Sequence, residues 1–245
     1  MGFRKKLNFA QKTCLGSCGK LMQQTSMINP GARVGVALSG GSDSWVMVKV
    51  LLLRKKIVPF DFEIIILHIN PGFDPANHFP LIAWLGRHPV ASHIEVTDTG
   101  PRAHLPANTK SPCFICSWER RKILFNLCRK YRLTHLAFGH NAEDLTATFF
   151  MNLMQTGRVD GLSAKESFFK GKLTVIRPLL MVEKKYINNA ARKWELPVWN
   201  NPCPSSPISK RAQIQGILDA LYKDNRLYRK NIMNALRRWQ LDLNR

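Results

Sequence analysis

The chain has 245 residues, 45% of them hydrophobic, which is enough for one substantial core with a small appendage and short for two independent domains. Lys and Arg number 37 against 16 Asp and Glu, and the formal charge of +21 points to a polyanionic partner, nucleic acid first, whose binding weakens steeply as salt rises. No apolar run approaches the ~18 residues that span a bilayer, and six cysteines are too few for a disulfide scaffold at this length, so neither a membrane protein nor a stapled secreted domain is expected.

The N-terminal stretch Met1–Lys12 is basic but lacks the apolar core and cleavage site of a secretory leader, so a cytoplasmic setting without membrane contact is expected. Phe3 to Met27 contain no acid and end before the turn signal Asn29-Pro30-Gly31, which predicts a basic helical segment over 1–30, outside any sheet. Apolar strand candidates follow at Val34–Leu38, Phe62–Ile69, Ala91–Val96, Thr134–Phe138 and Leu173–Ile176, separated by helical stretches. Buried strands alternating with helices imply an α/β fold over 31–182, with a doubly wound, mostly parallel five-stranded sheet. Within it, Ser117–Tyr131 reads as a strongly basic helix. No clear strand follows Ile176; a helical extension over 183–245 is predicted as Glu183–Glu195, Ile208–Tyr222 and Arg226–Trp239, with Pro-rich Leu196–Pro207 as a rigid connection.

Ser39, Gly40, Gly41, Ser42, Asp43 and Ser44 follow the first strand directly and open a helix. Glycines let the backbone curl until successive N–H groups point inward, and the helix N-terminus adds partial positive charge, which together make an anion cradle. Hydroxyls of Ser39, Ser42 and Ser44 offer further donors. Bare phosphate would repel Asp43, so its presence implies Mg2+ between carboxylate and polyphosphate. The segment lacks the Gly-Lys-Ser/Thr ending of a Walker loop, which disfavours ordinary P-loop hydrolysis. It resembles the Ser-Gly-Gly-x-Asp-Ser loop of the PP-loop ATP pyrophosphatases, and that resemblance implies ATP cleaved between its α and β phosphates. His68, Ile69 and Asn70 close the second strand at the sheet edge where adenine and ribose contacts sit. Gly139, His140 and Asp144 resemble the same family's Gly-His-x-x-x-Asp segment, in which the Asp helps position metal and nucleotide. Taken alone, His140 also suits an interior histidine and Asp144 a helix-start carboxylate.

Cys113 and Cys116 form a Cys-x-x-Cys at the start of the basic helix, so both thiols can face one metal. Cys203, between two prolines, offers a third ligand on a stiff loop. Three thiolates suit a 4Fe-4S cluster with one open iron, whereas structural zinc normally takes four protein ligands. A redox dithiol or plain buried thiols is the alternative for the pair. Cys128 reads as a small core residue, and Cys14 and Cys18 have no matching pair nearby.

Together, the loop Ser39–Ser44, Cys113–Arg121 (Cys-x-x-Cys-x-x-x-Arg-Arg), the Gly-His segment, Arg177-Pro178-Leu179, and Cys203 followed by Ser205, Pro207 and Arg211 resemble the tRNA 2-thiocytidine synthetase family. The similarity runs from Phe3 to Leu236. It implies the adenine nucleotide alpha hydrolase fold, with Ser39 to Ser44, His68, Gly139, His140 and Asp144 on ATP and with Asp43 and Asp144 on Mg2+. It further implies that Cys113, Cys116 and Cys203 hold a 4Fe-4S cluster whose free iron carries hydrosulfide, so that these cysteines and Asp43 are the catalytic set. The implied reaction adenylates a cytidine carbonyl, expected at position 32 in the anticodon loop of tRNA, and exchanges its oxygen for sulfur. A carbonyl oxygen leaves poorly, and adenylation turns the leaving group into AMP. A cysteine desulfurase or another sulfur donor is the implied partner, and homodimerisation stays open.

Arg120, Arg121, Arg177 and Arg211 are the expected tRNA contacts at the site. The C-terminal Lys223, Arg226, Arg229, Lys230, Arg237 and Arg238, interleaved with Tyr222, Tyr228 and Trp239, suggest further RNA surface. One departure stands out: the family's variable loop position is commonly Lys and here is Ser42, with Arg177 the candidate to compensate. Two other readings compete. A lysidine synthetase-like tRNA ligase shares the loop but leaves the three cysteines unused, and a non-catalytic RNA-binding iron–sulfur protein would not bind Mg-ATP.

Overall fold

The computed structural model describes residues 6–205 and 210–241. Helix α1 (Phe9–Gln24) starts where Asn8 and Gln11 form a capping box, each side chain meeting the other's backbone N–H at 2.8 Å. Its Cys14, Cys18 and Leu21 are buried against α2 (Ser42–Lys55) and α7 (Lys184–Lys193). Residues 1–5, where the N-terminal helix was expected to begin, lie outside the described residues.

Between α1 and α7 the chain runs β1 (Arg33–Leu38), α2, β2 (Glu63–Asn70), α3 (Phe79–Leu85), β3 (Ser92–Val96), α4 (Thr99–Ala103), α5 (Pro112–Lys130), β4 (His135–Ala137) and α6 (Ala142–Thr156). A hairpin of β5 (Lys165–Phe168) and β6 (Leu173–Ile176) precedes α7, and α8 (Lys210–Asp224) and α9 (Arg226–Trp239) follow it. The sheet order is β3-β2-β1-β4-β6-β5, parallel throughout except for the β5–β6 pair.

Every expected strand is present, with ends shifted by no more than one residue. The sheet has six strands, however, and the expectation of five missed β5. Its sequence, Lys-Glu-Ser-Phe, lies mostly exposed at the edge and has no apolar alternation to detect. Phe169, Lys170 and Gly171 close the hairpin with φ of 54°, 55° and 86°.

Two apolar layers cover the two faces of the sheet, as a doubly wound fold requires. Val34, Val36 and Leu38 of β1 pack with α1, α2 and α7, whereas Leu67, Ile69 and Leu136 pack with Leu124, Leu127 and Cys128 of α5. Trp45, Val46, Met47, Val48, Val50 and Leu51 are fully buried, so α2 is enclosed nearly all round. At about 1.5–3 kcal/mol for each large apolar side chain buried, this run pins the helix that carries the glycine loop. The α2 layer buries the thiols of Cys14 and Cys18 and the α5 layer that of Cys128, and burial pushes each up to about 12. Among the described residues, no helix is long and apolar enough to cross a membrane.

β1 has β2 on one side and β4 on the other. Chain direction along the sheet therefore reverses there, and the crevice outside the carboxyl ends of β1 and β4 is where such sheets bind ligands.

Candidate active site

The chain leaves β1 and enters α2 through a turn in which Gly40 takes φ +93°, a left-handed conformation. Gly40 is required for room as well, since a Cβ there would lie 2.4 Å from the Trp199 ring. Gly41 is the N-cap and supplies no side-chain cap bond, which leaves the first-turn N–H groups of α2 to an anion. Ser44 is buried and knots the loop: its hydroxyl accepts from Ser39 N at 3.1 Å and donates to Gly41 O at 2.9 Å.

The segment after β4 meets this loop at van der Waals distance, with a Cβ on Gly139 falling 3.0 Å from Ser44 N. Asn141 caps α6 in a capping box with Asp144, and its Nδ2 donates to Asp43 Oδ1 at 2.7 Å. The other Asp43 oxygen pairs with Lys184 Nζ, which also donates to Ser42 Oγ at 3.3 Å. Asp144 Oδ1 pairs with Arg211 at 2.9 Å. Burial pushes the Asp144 carboxyl up, and Arg211 and the Asn141 N–H pull it back down.

Several of these groups and three cysteines line one cavity of about 500 Å³. Ser39, Asp43, Ser44, Gly139, His140 and Asp144 line it, and so do Cys113, Cys116, Cys203, Arg120 and Arg211. The Cys pair sits in the first turn of α5, which Pro112 starts earlier than the basic run alone suggests. Burial raises the Cys116 thiol, Arg120 draws it down, and Cys203 and Cys113 push it up, as thiols sharing one pocket do. Burial first, and then Arg177, Arg211, Arg120 and Arg121, lower His140 to about 3, so its imidazole is neutral across the working pH range.

Trp199 holds the Cys203 loop against the glycine loop. Its N–H donates to Gly40 O at 3.0 Å, and its indole donates to Asn77 Oδ1 at 2.6 Å. Asn77 Nδ2 then donates to Asn200 O at 3.2 Å, and Ser205 Oγ lies 2.8 Å from His104 Nε2. Sequence reasoning missed Trp199 and Lys184. The only sequence signal for Trp199 was its place in a proline-bounded segment, and Lys184 gave none.

Two expected site residues lie elsewhere. His68 is fully buried behind the wall, its ring 5.6 Å from that of Trp199, because successive strand residues alternate faces and Leu67 and Ile69 take the cavity side. Arg177 is 8% exposed and bonds Ser163 O at 2.6 Å and Glu166 at 3.2 Å, so it ties β6 to β5 while its charge acts on His140. Gly40, Gly41 and Ser42 shape the loop without lining the cavity, and Arg121 is exposed beside it. Pro207 lies outside the described residues. On the C-terminal face, Arg229 pairs with Glu143 and Glu183, and Trp239 packs edge-on to Phe149 at 5.9 Å, so both support the fold.

A family model described as a PP-loop domain matches residues 117–215. In structure the chain is similar to the U34-tRNA thiolase NcsA from Methanococcus maripaludis, solved with its 4Fe-4S cluster. The TM-score is 0.74 at 23% identity, covering 92% of this chain and 78% of that one. In sequence it is 33% identical over 230 residues to a tRNA-cytidine(32) 2-sulfurtransferase of Burkholderia lata, covering 92% of this chain and 69% of the relative. It is 34% identical over 218 residues to the enzyme of the same name from Bordetella pertussis, covering 87% and 67%. The chain belongs to the tRNA-cytidine(32) 2-sulfurtransferase family. It spans about two thirds of the length of these 2-sulfurtransferases.

The wall of this 2-sulfurtransferase family member fits the groups its chemistry would need. Among the described residues, no three His, Cys, Asp or Glu side chains gather tightly enough to hold a single metal ion. The three cysteines instead stand around an open chamber, which suits a multi-iron cluster with one iron left free. Asp43 and Asp144 line the same cavity close enough for the Asp43 charge to push the Asp144 carboxyl up, and Mg2+ commonly takes one or two carboxylates with substrate phosphates completing its shell.

Proposed function

We propose that the chain uses Mg-ATP to adenylate cytidine 32 of tRNA and then replaces its C2 oxygen with sulfur, with Cys113, Cys116 and Cys203 holding a 4Fe-4S cluster. The observation that carries this reading is the shared cavity, in which the three thiols and the glycine loop open on one space despite their distance in sequence. Under a ligase reading those thiols would have no task.

In the first step the cytidine carbonyl oxygen bonds to the α-phosphorus while the bridge to the β-phosphate breaks and pyrophosphate leaves. The α2 N-terminus and the loop N–H groups face the charge that develops there, the preorganised role enzymes use most. Asp43 and Asp144 would hold Mg2+, which neutralises the departing pyrophosphate. In the second step a carbon–sulfur bond forms, the carbon–oxygen bond breaks, and AMP departs with the oxygen. Cys113, Cys116 and Cys203 would hold the cluster, which would supply the sulfur-carrying site. Arg120 and Arg211 give this side of the wall the positive charge a nucleic-acid phosphate requires, and neutral His140 adds none. A cysteine desulfurase or another cytoplasmic donor supplies the sulfur.

Lys184 stands in this scheme as the cation that the loop itself lacks at Ser42, delivered from α7. Lys184→Ala is therefore expected to raise the KM for ATP by about ten-fold, roughly 1.4 kcal/mol. Lys185→Ala, which removes the pairing with Glu183 and the contact of its ammonium with the Tyr186 ring but nothing at the glycine loop, leaves it unchanged. Pyrophosphate-exchange kinetics on both variants check this, and equal KM values would remove Lys184 from the phosphate site.

The function itself is tested by incubating anaerobically prepared protein with Mg-ATP, sulfide and tRNA lacking 2-thiocytidine, followed by nucleoside mass spectrometry. The expected product is 2-thiocytidine at position 32. An amine-modified cytidine, or no ATP-dependent product, would overturn the reading.

A further inference from the structure

The cavity-facing stripe of α5 consists of Cys113, Cys116, Ser117, Arg120 and Leu124. One position further round the helix runs a second stripe, Phe114, Trp118 and Arg121, at i, i+4 and i+7. Phe114 is 49% exposed and Trp118 58% exposed. Lys110 Nζ lies 5.0 Å from the Phe114 ring centre, and Arg121 and Lys122 flank the other end of the stripe. Among the described residues, Trp118 has no aromatic neighbour. Single exposed apolar residues are common and carry no meaning alone. Here two large rings share a face, cations bracket them, and the face borders the rim of the reaction chamber.

We propose that Phe114 and Trp118 form a stacking platform for unpaired RNA bases that flank the nucleotide entering the cavity. The inference rests on the tRNA-thiolation reading and adds how the substrate is recognised. A base that reacts inside a closed pocket must leave its stack, so its neighbours lose a π-face each. Exposed aromatic rings replace such faces without regard to sequence, and basic residues between them hold the backbone. The charge around the stripe selects a polyanion over a protein partner: Lys110, Arg121 and Lys122 border it, on a chain of formal charge +21.

The test measures binding of two RNAs to the anaerobically prepared full chain: a hairpin with an anticodon-type loop and a fully paired duplex of equal charge. Trp118→Ala is expected to weaken hairpin binding about ten-fold, with duplex binding and the salt slope unchanged because no cation is lost. Trp118→Phe, which keeps a π-face, recovers most of the affinity, and Mg-ATP binding by Trp118→Ala matches wild type, confirming the fold. Equal hairpin affinity in wild type and Trp118→Ala overturns the platform. So does an equal loss on hairpin and duplex, or an effect confined to oligomeric mass or to transfer from a protein sulfur donor. If the wild-type chain binds neither RNA, the tRNA-thiolation reading fails first, which separates the two failures.

Discussion

Cys203→Ser is expected to abolish tRNA thiolation while the protein still exchanges pyrophosphate into ATP in the presence of tRNA. The serine keeps nearly the same volume, and the loop that carries it is held by other groups: Trp199 on Gly40 and Asn77, and Ser205 on His104. What disappears is one of three cysteine sulfurs lining the cavity. Loss of an outer-shell partner alone typically costs ~10–100-fold in metal affinity, and loss of a direct ligand costs more, so thiolation should fall by at least ~100-fold. The α2 N-terminus and Asp43 do not depend on that thiolate and continue to activate the base. Nucleoside mass spectrometry and pyrophosphate exchange on one preparation read both halves. Thiolation at the wild-type rate would remove Cys203 from the sulfur site, and loss of both activities would assign it to the shape of the loop instead.

Asp43→Ala is expected to lower adenylation by ~100–1,000-fold, the cost typical of removing one preorganised group that meets transition-state charge. Asp43 accepts from Asn141 and pairs with Lys184, so it joins the loops after β1 and β4 to α7 in one small network. Removing it takes away a carboxylate proposed to hold Mg2+ and releases the two groups that orient it. Affinity for tRNA should stay within about two-fold, because Arg120, Arg121 and Arg211, the contacts expected for RNA, make no bond to Asp43, and Arg211 keeps its partner Asp144. Filter binding together with pyrophosphate exchange distinguishes the two effects. Unchanged turnover would show that Asp43 holds no metal in catalysis.

How far the sequence predicts these features depends on the physical origin of each. The central strands were readable because strands buried on both faces are uninterrupted apolar runs, as in Val-Gly-Val-Ala-Leu of β1, whereas the edge strand β3 is only half-buried. β5 was not readable, because an exposed edge strand needs no apolar pattern, and with it the structural task of Arg177 went unseen. With no hairpin to hold, its guanidinium read as a surface cation; with β5 present, it is the side chain that ties the hairpin together. The glycine loop, the Cys pair and Cys203 were legible because their chemistry is local: glycine permits the turn, and thiols are rare. Lys184 was illegible because its contact with Asp43 spans 141 residues and exists only once α7 lies against α2. His68 was misplaced by a single step of strand alternation, which sequence fixes only when one face is known to be buried.

Metal analysis of the anaerobically purified chain tests the central claim most directly, since everything proposed for sulfur delivery requires the three cavity thiolates to hold one cluster. The expected result is about four irons and matching inorganic sulfide per chain, with iron lost in Cys203→Ser. A colourless protein free of iron that retains tightly bound zinc would contradict it.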